Sequence, residues 1–302
     1  MVPSGDMKAR LLAAVQAEAA PTRAERRRAA GGILALVVGA LALQFFGVLF
    51  LLDKKGLHLQ PQAIDFVVSH ALGERPVAFV AMTSLAWCAV IAVLAGLVRR
   101  RDMLGPPSVA LWTAALASLA LPFAVGLVGN GIWPVTAVAK PTHPGFFCVH
   151  LSLALSTLPL TALVFVRRES DPVHPLALGA TVGALAATVS ALLVNLDCPY
   201  ADPRHILIGH IAPGLAQIAA GALMGGLVIA MRRRGAPLPI APVLGGALGS
   251  WLASLYNVGL QKSCDRPSGF EPQTIIWLVA GLLLGVGIGF AAGMLRARPR
   301  PT

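Results

Sequence analysis

The chain has 302 residues, 56% of them hydrophobic and only 12% charged, with a mean hydropathy of +0.75, whereas a water-soluble domain of this size carries about twice that charged fraction. This excludes a soluble enzyme, and apolar stretches of ~18 residues or more recur along the whole length, the signature of a polytopic membrane protein. The net charge of +11 is spread between the apolar stretches, so direct nucleic-acid binding is not expected, and 31 glycines with only two tyrosines suit close-packed helices better than a β-barrel with aromatic girdles. The expected fold class is all-α.

Residues 1–30 form a tail with its own pattern. Ser4 or Asp6 can cap a helix in which Met7, Leu11 and Val15 recur at four-residue spacing with Leu12 beside them, until Pro21 ends it. A helix this short is marginal in water. It needs a surface to dock on, either a protein groove or the anionic lipid that Arg26, Arg27 and Arg28 also attract.

Eight spans follow in chain order: Gly32–Leu52, Pro76–Val98, Pro107–Val128, Cys148–Val166, Leu176–Leu196, Ile206–Met231, Leu238–Leu260 and Ile275–Leu295. The first is read as an anchor, since no small-residue cleavage site follows it. The seventh is marginally apolar because it carries Ser250, Ser254, Tyr256 and Asn257. Cys88, in the second, is expected to be a small buried packing residue. Basic clusters at Arg26–Arg28, Arg99–Arg101, Arg167–Arg168, Arg232–Arg234 and Arg296–Arg300 all precede the first span or follow an even-numbered one. With Lys8, Arg10 and Arg23, seventeen of the 24 basic residues share one side, and the positive-inside rule puts both termini in the cytoplasm of a bacterial inner membrane. The domain reading is a tail at 1–30, a six-span membrane domain at 31–235, and an added two-span hairpin with a basic tail at 236–302.

The C-terminal half matches itself at an offset of 66 residues: Arg167 with Arg233, Gly179 with Gly245, Gly183 with Gly249, Cys198 with Cys264, and Gly221 with Gly287. This suggests a tandem two-helix repeat in one orientation, unlike the inverted repeats of many transporters. Glycines four apart, at Gly179 and Gly183, Gly221 and Gly225, and Gly281, Gly285 and Gly289, are expected to let helix backbones touch, with Gln217 on the same face; such faces also suit self-association.

No Asp, Glu, Lys or Arg falls inside any of these spans, which argues against an ion-coupled transporter, and no nucleophile, base and orienter recur at an interpretable spacing, so no enzyme is expected. Polar chemistry gathers at the span ends opposite the arginines: His143, Cys148 and His150, then Asp197 and Cys198, then Asp202, His205 and His210, and finally Cys264. Two chemistries suit these residues. Cys198 can form a disulfide with Cys148 or Cys264 in an oxidising compartment, or thiolates and imidazoles among His143, His150, Cys198, His205 and His210 can hold a metal ion such as zinc or copper. No cofactor other than such an ion is expected.

The stretch from Cys148 to Gly226 also carries a likeness: a Cys opening a span, a Leu158-Pro159 step, Arg167 and Arg168, Pro172 and Pro175, Gly179 and Gly183, Cys198-Pro199 closing the next span, and a glycine-rich helix after it. With the amphipathic tail and its arginine run, this resembles the membrane-bound anti-sigma factors typified by the negative regulator of sigma F, over roughly residues 1–235. Members typically have six spans and a His-Cys-Pro, where this chain has Asp197-Cys198-Pro199; the aromatic pair expected early in the sixth span is absent, with His205 and His210 nearby instead. The resemblance implies that the tail holds an extracytoplasmic-function sigma factor at the membrane and that Cys148, Cys198 or Cys264 receives a signal. The reading from a different class is a transporter or metal-handling protein built on the His and Cys residues.

Overall fold

The computed structural model describes residues 50–53, 56–59, 76–99, 106–132, 146–167, 172–198, 203–233 and 240–261, together with 276, 279–281, 283–285 and 287–288. All belong to one compact unit, Ala40–Thr302. The tail residues Met7, Leu11, Leu12 and Val15, most of the first expected span, and His143, Cys264 and Gly289 lie outside the described residues.

The described chain is helical except for one hairpin. Strands β1 (Phe50–Asp53) and β2 (Gly56–Leu59) pair antiparallel, Phe50 opposite Leu59 and Asp53 opposite Gly56. This corrects the end of the first expected span, since Phe50–Leu52 are extended where a helix was read to continue. Apolarity alone does not say where a helix stops, and Asp53 with Gly56 closes a two-residue turn of the kind that reverses strands. The helices are α1 (Val77–Arg99), α2 (Ser108–Ile132), α3 (Phe146–Arg167), α4 (Pro175–Asp197), the short α5 (Pro203–Ile206), which runs through a π-helical turn at Leu207–Ile211 into α6 (Ala212–Arg233), and α7 (Ile240–Gln261). Described residues between 276 and 288 are helical too.

Five segments are long and apolar enough to cross a membrane: Val77–Val98, Ser108–Val125, Phe147–Val164, Pro175–Asn195 and Arg204–Met231. These correspond to the second to sixth expected spans and mark an integral membrane protein. The helix at the seventh, α7, is not among the five.

At the centre stands α4, with 78% of its span buried against 24% for α2. Side-chain hydrogen bonds tie it to three neighbours, as expected where polar side chains have no water to turn to. Thr181 donates from Oγ1 to the Leu111 carbonyl of α2 at 3.2 Å, Ser190 from Oγ to the Ser152 carbonyl of α3 at 2.9 Å, and Asn195 from Nδ2 to Thr83 Oγ1 of α1 at 3.4 Å. Outer faces carry large apolar residues such as Leu85, Val93, Leu116, Leu223 and Leu227, as lipid-facing helices should. Cys88 is exposed on the peripheral α1, correcting its expected place among the packing residues.

Glycine sets the fourth and closest contact, between α4 and α6. A Cβ on Gly179 would run into the Gly221 carbonyl, and one on Gly183 into the Gln217 carbonyl; one on Gly225 would stand 2.8 Å from the Pro175 carbonyl. The same antiparallel pairing recurs further on, where Gly245 meets Gly285 and Gly249 meets Gly281. The two helix pairs thus correspond at an offset of 66 for the first helix and 64 for the second. That corrects the pairing of Gly221 with Gly287: Gly285 is the counterpart, and Gly287 has nothing within 4 Å of a Cβ. A connection shorter by two residues hides this from a single-offset comparison.

Candidate metal centre

Three elements meet at the bundle end opposite Arg99, Arg167 and Arg233. Cys148 enters on the first turn of α3. Cys198 caps the C-terminus of α4 with φ −90° and ψ 115°, its amide still donating to the Val194 carbonyl at 2.8 Å. Pro199 follows it, and a residue before proline is confined to extended backbone, so the helix stops there and the thiol turns into the bundle. Pro203 opens α5, where a proline costs no hydrogen bond, and α5 with its π-helical turn brings His205 and His210.

The donor atoms of Cys148, Cys198, His205 and His210 all lie within 4.8 Å of one another. His205 Nε2 is 3.2 Å from Cys198 Sγ and 3.5 Å from Cys148 Sγ. The two imidazole centroids stand 5.6 Å apart with their planes at 61°. Cys148, His205 and Cys198 are 1%, 1% and 4% exposed. Leu151, Leu155, Val194 and Val258 pack around the sulfurs with Phe147 against them, so the polar atoms sit in an apolar collar.

The π-helical turn decides the geometry. Five residues apart in an α-helix, His205 and His210 would point about 140° away from each other. With two α-helical steps to Leu207 and roughly 82° for each of the three steps through the π-turn, the divergence shrinks to roughly 85°, and both rings reach the same two sulfurs. His210 Nε2 is buried and meets no hydrogen-bond partner among the described residues.

Of the residues singled out from sequence, Cys148, Cys198, His205 and His210 are brought together. His150 is not among them. Two residues beyond Cys148 on the same helix it projects about 200° away, and it is buried with Nδ1 lacking a hydrogen-bond partner among the described residues. Gly179, Gly183, Gly221 and Gly225 lie in the α4–α6 contact, with Gln217 buried beside them. The convergence of Cys148 with the two histidines had no signal in sequence spacing, because three separate elements and one π-turn create it.

Two soft sulfurs and two imidazoles in one buried cluster can hold a metal ion, the donor set being that of tetrahedral sites. The two sulfurs are not bonded to each other. No family model, curated protein or solved structure matches this chain.

Proposed function

We propose that this protein is a bacterial inner-membrane regulator of the anti-sigma type: residues 1–30 hold an extracytoplasmic-function sigma factor at the membrane, and the Cys/His cluster receives the signal that changes the hold. The observation that carries this reading is the buried gathering of Cys148, Cys198, His205 and His210 at the bundle end away from the arginine clusters. The arginine clusters favour a cytoplasmic position for the opposite end and for both termini. A cluster lined by Leu151, Val194 and Val258 offers a receptor for something small. The apolar stripe of Met7, Leu11, Leu12 and Val15, too short to fold by itself, suits an output segment that orders on a protein partner. In this reading the partners are a sigma factor and the lipid bilayer, with no direct contact to nucleic acid.

The connection between the two ends runs through α4 and α6. α4 ends in Cys198, and α6 continues the α5 and π-helical segment that carries His205 and His210, and both helices contribute to the glycine contact further along, so a ligand that draws Cys198 and His205 together acts on the same helix pair whose far end adjoins the cytoplasmic side. Such coupling requires that the ligand bind two arrangements of the bundle with different affinity.

Affinity purification of the full-length protein from its own cells, beside a copy lacking residues 2–30, tests the proposal. A sigma factor that elutes with the full chain and is absent from the truncated one supports it. If Leu11→Asp combined with Val15→Asp leaves sigma-dependent transcription as repressed as in the wild type, the role given to the tail is wrong.

A further inference from the structure

The donor set itself names the signal's chemical class, and we infer that Cys148, Cys198, His205 and His210 form a closed, four-coordinate site for a single divalent d10 cation, with zinc as the reference ion. This deepens the proposed function and rests on it for the meaning of the site, though not for its existence. A tetrahedral zinc with two sulfur and two nitrogen ligands has donor-to-donor edges of about 3.4–3.8 Å. The two sulfur-to-His205 distances, 3.2 and 3.5 Å, already lie at that scale, and closing the remaining pairs from within 4.8 Å takes at most about 1.4 Å.

Three observations favour a cation over a plain Cys148–Cys198 disulfide. A disulfide has no use for imidazoles, yet His205 Nε2 stands within 3.5 Å of both sulfurs. His210 Nε2 is buried and without a hydrogen-bond partner among the described residues, and a buried acceptor left bare is costly unless something fills it. The π-helical turn at Leu207–Ile211, a less favourable form than the α-helix around it, turns both rings to one side, a distortion of the kind found at functional sites.

Charge selects the oxidation state. Two thiolates and two neutral imidazoles carry a charge of −2, so a divalent ion makes a neutral unit while a monovalent one leaves a net negative charge. In an apolar collar of Leu151, Leu155, Val194 and Val258 the neutral unit is strongly preferred. Zinc and cadmium fit; copper(I), equally fond of sulfur, is disfavoured.

The test uses the full-length protein in mild detergent, kept reduced, stripped with chelator and titrated separately with Zn2+ and Co2+. Expected are about one zinc per chain and, for cobalt, the intense visible bands of a tetrahedral centre with thiolate charge transfer in the near ultraviolet. Cys198→Ser and His210→Gln should each weaken binding by more than about 100-fold, while His150→Leu and Cys88→Ser should leave it unchanged. Should Cys198→Ser not fold, His210→Gln, less deeply buried, keeps the test decisive. A wild-type helical spectrum with no cobalt bands, or His210→Gln binding as tightly as wild type, overturns the inference, as does a reduced protein that takes up no zinc but forms the Cys148–Cys198 disulfide on oxidation. Scoring sigma-factor co-purification on the same preparations separates the two readings: retained sigma without metal refutes only the site, and bound metal without sigma refutes only the regulator.

Discussion

Gly221→Ala is the sharpest test of the packing described for α4 and α6. A Cβ at this position would run into the Gly179 carbonyl and stand 2.8 Å from both Cα and N of Gly183, whereas carbon atoms rest at about 3.5–4.0 Å. To relieve the Gly183 contacts alone, the helices must part by about 0.7–1.2 Å. A gap of this size forfeits a quarter to a half of each dispersion contact along the seam, and overpacking of such contacts costs about 1–3 kcal/mol. Because backbone faces backbone, no side chain is available to swing aside. The assay is reversible unfolding in detergent micelles, with Gly96→Ala and Gly287→Ala as controls, since a methyl added at either position meets nothing within 4 Å. Gly221→Ala should fall below the wild type by that amount, while the controls remain near it apart from the small gain alanine brings to any helix. If Gly221→Ala were no less stable than Gly96→Ala, the close approach and the account of α4–α6 association built on it would be refuted.

Two further outcomes follow from the cluster and its surroundings. Zinc binding should weaken as pH falls and release protons when it occurs near neutrality, because thiol and imidazole bind metal only after losing theirs; proton release measured with an indicator dye in weak buffer checks the sign, and uptake would contradict it. His150→Leu should leave the unfolding midpoint unchanged or raised, since it removes a buried ring whose Nδ1 has no partner among the described residues and whose burial costs about 1–3 kcal/mol; a loss exceeding about 1 kcal/mol would reveal an interaction that this geometry does not include.

What the sequence made legible follows from which forces act locally. Apolar length is a local property, and it located α1 to α4 and the α5–α6 segment to within a few residues. Glycine spacing is also local to a helix, so the faces of Gly179, Gly183, Gly221 and Gly225 were readable before their partners were known. The hairpin at Phe50–Leu59 was not, because strand pairing depends on residues across the turn and on β1 lying against α7. At the cluster, residue types were readable and their company was not. His150 and Cys148 are neighbours in sequence but project to different faces of α3, whereas Cys148 and His205, 57 positions apart, sit 3.5 Å from each other. A π-turn leaves no residue signature, so nothing in the string of letters shows that His205 joins His210.

The π-turn also fixes a count. From His210, Gly214, Gln217, Gly221 and Gly225 follow at α-helical intervals down to the seam with α4, whereas His205 keeps company with His210 only because the helix is wound differently between them. The segment works as a vernier between two scales, one reading the cysteines and the other reading glycines several turns away. Removing one residue between Leu207 and Ile211 would bring the winding back into step and force a choice: the rings keep their sulfurs and the glycines lose their partners, or the reverse. Length in that short stretch is thus under stricter control than identity, and its apolar residues can be exchanged far more freely than their number can change.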